Sequence, residues 1–264
     1  MTPKLVLDEP ADDVARLTIN NPERRGALDH ELLDALAEHT RTLQARCLII
    51  RGSGKVFSAG YDIGGFEEGA FEESAERLVA HPFQDAIEAL GAYPYPVVGQ
   101  LNGHAIGGGL ELALACDIRI AAGGIKLGMP PAKLGLIYSH TGLRRFIDVC
   151  GPANTAELFY VGRNVDADRA ERMGLVNEVV DAALLDDHVL DLAAEIAAKS
   201  PLAIWGTKEA LRFTRDHSVD ESLNFIATWQ TGMFQPADLA EGIVARRDKR
   251  PPAYDDLLSP PSGI

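Results

Sequence analysis

Short runs of apolar residues alternate with helix-type apolar patterns through the first half of the chain. After Asp29, which can cap a helix, leucines recur at helical spacing, and this predicts an α-helix. The apolar runs predict strands at residues 4–8, 14–20, 46–51, 96–101 and 117–121, with a turn-rich loop at 52–65 and helices at 71–90 and 110–116. Strands that alternate with helices in this way indicate an α/β fold with a largely parallel sheet.

The second half of the chain has the apolar spacing of helices almost throughout. The predicted helices lie at residues 141–150, 154–161, 167–173, 181–199, 202–214, 221–234 and 239–249. The change in character near residue 200 predicts a core domain at residues 1–200 and a helical C-terminal region at residues 201–264.

The charge balance of the chain limits the classes of partner that it is expected to bind. Its 264 residues carry 25 Lys and Arg against 39 Asp and Glu, which gives a formal net charge of -14. An acidic surface repels phosphate backbones, so we expect no nucleic-acid partner, and an anionic ligand would need a local basic patch. The longest apolar stretch contains Glu111, Asp117 and Arg119, so we also expect no membrane partner and a cytoplasmic location.

The spacing of cysteine and histidine gives no sign of a metal site or a disulfide framework. Cys47, Cys116 and Cys150 are far apart in the sequence, and no CxxC or HExxH motif is present. We therefore expect no metal.

Two glycine-containing segments, residues 57–63 and 102–112, are the candidates for chemistry. In the second segment, small residues allow the backbone to approach a ligand closely just before a helix begins. One backbone amide from each segment could together stabilise an oxyanion. The same residues could equally form a tight strand–helix junction that needs glycine only for packing, and the pattern leaves both interpretations open.

Several motifs, taken in order, resemble those of the crotonase superfamily, also called the enoyl-CoA hydratase/isomerase family. They are NPERRGAL (21–28), FSAGYDI (57–63), NGHAIGGGLELALACD (102–117), LGL (134–136), GLVNEVV (174–180) and the terminal EG…KRP (241–251). The resemblance implies a ClpP/crotonase-like spiral of ββα units and a helical C-terminal trimerisation region, with homotrimers or homohexamers as the assembly. It also implies an acyl-CoA thioester substrate, with coenzyme A as part of that substrate and no separate cofactor.

The resemblance also implies binding roles for individual residues. The backbone amides of Tyr61 and Gly108 would form the oxyanion hole, which leaves their side chains secondary for that task. Each cation implied in coenzyme A binding could, taken alone, belong instead to solvated surface. The implied coenzyme A-binding residues are Arg24, Arg25, Ala27, Lys55, Ala59, Ile63 and Lys249, and the last of these would reach a neighbouring subunit's ligand.

One departure from the family pattern bears on the chemistry. Family hydratases hold a water between two glutamates; Glu111 matches the first, but Pro131 stands at the second position. The segment ending at Tyr138 instead looks like that of methylmalonyl-CoA decarboxylases, so Glu111, Tyr138 and His140 are the candidate catalytic residues. Each residue also has a structural interpretation without a catalytic role. The Glu111 carboxylate could accept hydrogen bonds from amides at the start of its helix, and the Tyr138 ring could pack in the core with its hydroxyl bonded to backbone. His140 could cap a helix or lie in the core.

Three functions are consistent with these residues. Decarboxylation of a short malonyl-type CoA needs only an oxyanion hole and one donor that orients the carboxylate, and Tyr138 could be that donor. Hydration by Glu111 with Tyr138 or His140 as a non-carboxylate partner is the first alternative. A non-catalytic acyl-CoA binding protein is the second. The family resemblance favours a lyase, and the missing second carboxylate favours decarboxylation.

Overall fold

The computed structural model describes residues 3–62, 82–233 and 236–256 of the chain. Most of the apolar side chains in these ranges pack into one continuous core. The strands are β1 Leu5–Ala11, β2 Val14–Ile19, β3 Cys47–Gly52, β4 Val56–Ser58, β5 Val97–Leu101, β6 His104–Ile106, β7 Ile118–Ala122, β8 Lys126–Gly128, β9 Val165–Asp166 and β10 Glu178–Val180. The helices are α1 His30–Thr42, α2 Gln84–Ala92, α3 Gly108–Leu114, α4 His140–Ala156, α5 Ala167–Arg172, α6 Leu185–Ala197, α7 Pro201–Asp216, α8 Val219–Met233 and α9 Pro236–Asp248.

The strands form two sheets, both mainly parallel. In the larger sheet the order is β1-β2-β3-β5-β7-β10, and every neighbouring pair except β1 with β2 is parallel. In the smaller sheet the order is β4-β6-β8-β9, and only β8 with β9 is antiparallel. The predicted α/β class with a largely parallel sheet is therefore confirmed. Parallel neighbours require crossover connections, and these bring β4 and β6 side by side from distant parts of the sequence.

The first predicted helix forms as its sequence indicates. The Asp29 side chain accepts a hydrogen bond of 3.0 Å from the Leu32 amide and so caps α1. Leu32, Leu33 and Leu36 lie on its inner face and are completely buried. Burying a leucine side chain contributes about 1.5–3 kcal/mol, so this apolar face holds α1 against the core.

Some elements differ from the sequence-based predictions. The predicted loop at 52–65 contains β4, and β6, β8, β9 and β10 were not predicted; each is only two or three residues long, which is too short for a periodic pattern. The separate helices predicted at 141–150 and 154–161 are confirmed, because α4 is broken at Gly151, whose φ of 75° and ψ of 165° are not helical. Pro152 begins the second part, which continues into a π-helical turn at Glu157–Val161.

An ion pair between a buried lysine and a partly exposed aspartate connects α7 to the larger sheet. The Lys208 ammonium is buried and donates to the Tyr95 carbonyl at 2.8 Å and to Asp117 Oδ2 at 2.7 Å. The same carboxylate oxygen accepts from the Val97 amide at the start of β5. The junction near residue 200 lies at Ser200, which caps α7. The division into two domains at that point stays a prediction.

Within residues 3–62, 82–233 and 236–256, no helix combines the length and the apolar character that crossing a bilayer requires.

Candidate active site

The two glycine-containing segments lie against each other, as the oxyanion-hole interpretation requires. The first begins within β4 and the second contains β6, and these strands are parallel neighbours in the smaller sheet. A β-carbon built on Gly60 would lie 3.1 Å from the Gly108 amide nitrogen, so the backbones of the two segments are in contact. Parallel pairing of two three-residue strands therefore brings both predicted amides to one place.

Ser58 fixes the turn that carries Tyr61. Its buried hydroxyl donates to the Gly26 carbonyl at 2.7 Å and accepts from the Gly60 amide at 3.1 Å. Beyond the turn, the Leu28 amide donates to the Gly60 carbonyl at 2.8 Å. Because of this parallel bridge, the Tyr61 amide points away from Leu28.

The amides of Tyr61 and Gly108 have no hydrogen-bond partner within the described ranges. Gly108 is the first residue of α3, so its amide is one of the unpaired donors at a helix start. A buried amide without a partner costs free energy, which makes such a pair suited to receive an oxyanion. The arrangement meets the structural condition for the predicted oxyanion hole, whose role stays a prediction.

The ring of Tyr61 crosses the start of α3. A β-carbon on Gly108 would lie 2.8 Å from Tyr61 Cε1 and 2.9 Å from Cζ, so only glycine fits there without displacing the ring. The edge of the Tyr61 ring also meets Phe83, with ring centroids 4.9 Å apart. Packing from both sides therefore fixes the direction of the phenol.

Glu111 and Tyr138 are joined directly. Glu111 lies in α3 with 2% of its surface exposed, and the Tyr138 hydroxyl donates to its Oε2. Gly142 makes room for this contact, since a β-carbon there would lie 2.5 Å from Tyr138 Cε1 and 2.9 Å from Glu111 Oε1. The alternative in which Glu111 bonds helix-start amides is wrong in the described chain, as is the alternative in which the Tyr138 hydroxyl bonds backbone.

The Tyr61 hydroxyl extends this contact into a row of three oxygen groups. It lies 3.5 Å from the Tyr138 hydroxyl. Burial raises the pKa of Tyr138 well above its ordinary value, and the Glu111 charge raises it further. Burial and the same charge also raise the pKa of Tyr61, so both phenols are protonated donors at neutral pH.

Burial also raises the pKa of Glu111, while the hydrogen bond from Tyr138 and the charge of Arg145 lower it. Arg145 is a residue that the sequence reasoning missed. Its Nε is buried and has no hydrogen-bond partner among the residues that the structure describes, and burial lowers the pKa of its guanidinium. It follows Gly142 by one turn of α4, and that spacing was the available signal for a cation on the face that Gly142 presents to Glu111.

The position of the missing second carboxylate is occupied by a buried proline. Pro131 begins the 3-10 helix Pro131–Leu134. His140 is exposed at the first residue of α4, and the cap of that helix is Ser139, whose side chain accepts from the Gly142 amide at 3.2 Å. The cap and core alternatives for His140 are therefore wrong, and its predicted catalytic role stays a prediction.

A family model described as Enoyl-CoA hydratase/isomerase matches residues 9–257. The chain belongs to the enoyl-CoA hydratase/isomerase family. Crotonyl-CoA hydratase of Syntrophomonas wolfei is 34% identical over 254 residues, which are 93% of this chain and 95% of that relative. The mitochondrial Delta(3,5)-Delta(2,4)-dienoyl-CoA isomerase of Homo sapiens is 32% identical over 252 residues, which are 90% of this chain and 77% of that relative.

Solved structures agree with this family assignment. The crystal structure of enoyl-CoA hydratase from Bacillus anthracis matches with a TM-score of 0.87 at 30% identity and covers 95% of this chain and 98% of its own. The structure of Pseudomonas aeruginosa DspI matches with a TM-score of 0.85 at 32% identity, and the match covers 96% of this chain and 97% of its own. The crotonase fold class is thereby confirmed. The likeness of residues 131–138 to decarboxylases stays a prediction.

The first group of predicted coenzyme A-binding residues in this family member lies on one loop. Arg24 forms an ion pair of 3.2 Å with Asp62, and the Arg25 carbonyl accepts from the Ala59 amide at 3.0 Å. Ala27 is buried, whereas Ala59 is exposed. The structure therefore brings this loop and the Tyr61 turn together.

The remaining predicted binding residues of the family member lie elsewhere. Lys55 is exposed just before β4, and Lys249 is exposed just after α9. Ile63 lies outside the described residues. In the ranges that the structure describes, no three His, Cys, Asp or Glu side chains come together as metal ligands would. The roles of Arg24, Arg25, Ala27, Lys55, Ala59, Ile63 and Lys249 in binding coenzyme A stay predictions.

Proposed function

We propose that this member of the enoyl-CoA hydratase/isomerase family decarboxylates a short malonyl-type acyl-CoA. The single observation that carries the proposal is the partner of Glu111. Hydration in this family uses two carboxylates around one water, whereas here Glu111 is paired with the Tyr138 hydroxyl and Pro131 holds the second position. A phenol that stays protonated can give a proton to carbon but cannot take one from water.

In the proposed reaction the thioester oxygen accepts hydrogen bonds from the amides of Tyr61 and Gly108. The bond from the α-carbon to the substrate carboxylate breaks, its electron pair moves into the enolate, and CO2 leaves. The two amides stabilise the developing negative charge, and removing one such donor typically costs about 10²–10³-fold in rate. The step requires no base, which fits a site where Pro131 stands at the position of the second carboxylate.

The enolate then needs one proton at its α-carbon. The Tyr138 hydroxyl hydrogen, which points at Glu111 before the substrate binds, turns to the α-carbon and is transferred to it. The protonated Glu111 carboxyl then gives its proton to the Tyr138 oxygen, and solvent reprotonates Glu111. A carboxyl whose pKa burial raises is better able to hold that proton near neutral pH. Overall, the carboxylate form of the malonyl-type acyl-CoA and one proton are converted into the shorter acyl-CoA and CO2.

Two substrates given to the purified protein test the proposal. We expect CO2 release and propionyl-CoA formation from methylmalonyl-CoA, and slow or no loss of the enone absorbance of crotonyl-CoA. Tyr160→Phe, which removes a hydroxyl from an exposed tyrosine, is the control for loss of a phenol in general. Rapid hydration of crotonyl-CoA without CO2 release from methylmalonyl-CoA would overturn the proposal.

Hydration is the second candidate, because the 34% identical relative from Syntrophomonas wolfei is named crotonyl-CoA hydratase. Glu111 would then act as the base, with Tyr138 or His140 in place of the second carboxylate. Glu111→Gln separates the two reactions. Hydration should collapse in this variant, whereas decarboxylation should continue with impaired delivery of the proton, seen as loss of stereocontrol when the reaction is run in deuterium oxide.

The assembly and the coenzyme A contacts are proposed on the same family basis. We propose a homotrimer or homohexamer in which Lys249 contacts the ligand of a neighbouring subunit. The apolar side chains that the described chain leaves exposed in the active-site segment support an assembly, with Ile137 at 99% and Leu134 at 54% exposure. Light scattering on the purified protein, with the trimer mass as the expected result, is the direct test.

A further inference from the structure

The proton of Tyr138 is already engaged in the site. A tyrosine hydroxyl has a single hydrogen to donate, and that hydrogen is directed at Glu111 Oε2. Tyr138 therefore lies between Glu111 and whatever its oxygen faces next, which is the position of a proton carrier. A second donor is needed if the site is also to hold the carboxylate of a substrate.

The Tyr61 hydroxyl meets this need. It lies 3.5 Å from the Tyr138 oxygen, which is longer than the about 2.7–2.8 Å usual between hydroxyl groups, so its hydrogen is only weakly engaged. Its ring crosses Gly108 and is fixed by Phe83, so the phenol extends from the same backbone that carries the oxyanion-hole amide. The hydroxyl thus lies beside both the proposed hole and the proposed proton carrier.

We propose that the Tyr61 phenol donates a hydrogen bond to the acid group of the substrate and so selects acyl-CoA thioesters that carry a carboxylate on the α-carbon. The inference rests on the proposed decarboxylation and makes it more specific. In such a substrate the thioester carbonyl and the carboxylate are attached to the same carbon. Tyr61 carries both donors, its amide for the first group and its phenol for the second, and the phenol lies over Gly108, which supplies the other amide of the proposed hole.

The electrostatics of the site make this donor important. The chain carries a formal net charge of -14. A substrate carboxylate entering this site meets negative charge and needs a donor to offset the repulsion. A hydrogen bond from a neutral phenol to a carboxylate is charge-assisted and stronger than one between neutral groups.

The test compares a ligand that carries the α-carboxylate with one that lacks it. In Tyr61→Phe we expect the KM for methylmalonyl-CoA to rise about tenfold or more, because a charge-assisted hydrogen bond is lost. The inhibition constant of propionyl-CoA, which has no such carboxylate, should stay unchanged. Tyr138→Phe should show the opposite behaviour, with a fall in kcat and little change in KM.

Matched variants guard against a merely structural effect. Tyr160→Phe should change neither constant, and Tyr61→His, which keeps an N–H donor, should recover part of the affinity for methylmalonyl-CoA. Equal weakening of both ligands in Tyr61→Phe, or no weakening of either, would overturn the inference. If Tyr61→Phe does not fold, Tyr61→Met, which also lacks a hydrogen-bond donor, takes its place, and an unchanged ratio of the two affinities together with normal CO2 release overturns the inference.

Failure of this inference and failure of the proposed function give different results. If wild-type protein releases no CO2, the proposed function fails, and methylmalonyl-CoA becomes a stable ligand whose dissociation constant can be measured directly. A wild-type preference for methylmalonyl-CoA over propionyl-CoA that Tyr61→Phe abolishes would then still support the role of Tyr61. Normal CO2 release with an unchanged preference in Tyr61→Phe would reject only the inference.

Discussion

The Tyr138 hydroxyl donates a hydrogen bond to Glu111 Oε2, and this contact joins a helix of the core to the segment where relatives carry their second carboxylate. Burial raises the pKa of Glu111, so the folded chain retains this proton at a pH where the unfolded chain has released it. Proton linkage then requires the stability of the fold to decrease as pH rises from the unfolded pKa, near 4.5, through the folded pKa.

Glu111→Gln should remove this pH-dependent loss while keeping an acceptor for Tyr138. We expect the variant to gain stability relative to wild type as pH rises through that window, and to show no such gain below it. Urea unfolding at about pH 4 and about pH 8 measures the difference. Glu38→Gln, on the exposed face of α1, is the comparison variant. A gain of equal size at both pH values would contradict the expectation.

Arg145 should set the pH at which Glu111 changes its charge. The cation lowers the Glu111 pKa, so Arg145→Met should move the Glu111 limb of the pH–activity profile to higher pH, while Arg145→Lys should move it less. If protonated Glu111 is the active form, activity in Arg145→Met extends to higher pH. If ionised Glu111 is required as a base, activity is lost at low pH.

The neighbouring arginine provides the control for Arg145. Arg144 is exposed and pairs with Asp148 at 2.7 Å, so Arg144→Met should leave the profile unchanged. A shift in Arg144→Met as large as that in Arg145→Met would assign the effect to the overall charge of α4 rather than to the buried cation.

Gly142 should tolerate no side chain. In Gly142→Ala the added methyl group would meet the Tyr138 ring and Glu111 Oε1, and relieving such overpacking costs about 1–3 kcal/mol. We also expect activity to fall because the Tyr138–Glu111 contact must open. Thermal unfolding and turnover are the measurements. Gly91→Ala, in α2 with open space around it, should instead stabilise the protein by about 0.5–1 kcal/mol.

Lys208 should be the strongest single link between α7 and the larger sheet. Lys208→Met removes the donor to the buried Tyr95 carbonyl and the cation beside the partly exposed Asp117, and leaving such an acceptor without its partner costs about 1–3 kcal/mol. Urea unfolding should report the loss as a lower midpoint. Lys199→Met, which breaks an exposed pair with Glu195, should cost about 0.5 kcal/mol or less. Similar losses in both variants would argue against a special role for the buried lysine.

Much of the fold could be predicted from the sequence because its longer elements carry complete periods. The apolar run before Gly52 is long enough to indicate β3, and the capped leucine pattern indicates α1. β4 and β6 are three residues each, and no periodicity can be detected over that length. Their pairing nevertheless places Tyr61 beside Gly108, and only the family resemblance could suggest it.

The candidate site, too, could be predicted only in part from the sequence. The family resemblance identified Glu111 and Tyr138 as candidates, but their direct hydrogen bond depends on the path of the chain between α3 and α4. Arg145 escaped prediction because it follows another arginine in a charged segment, where a solvated side chain is the usual outcome. The Tyr61 phenol was expected to be secondary because the resemblance implies a role only for the Tyr61 amide. The structure places the Tyr61 hydroxyl next to that of Tyr138.

The hydrogen bonds made by Ser58 determine when the turn that carries Tyr61 becomes ordered. Its hydroxyl holds both the Gly26 carbonyl and the Gly60 amide, so the turn is ordered by contacts that form as the chain folds, before any thioester arrives. Each turnover can therefore start from an already oriented backbone. Rigidity here is a property of the native state itself, and a substitution that loosens this serine would lower thermal stability and catalytic rate together.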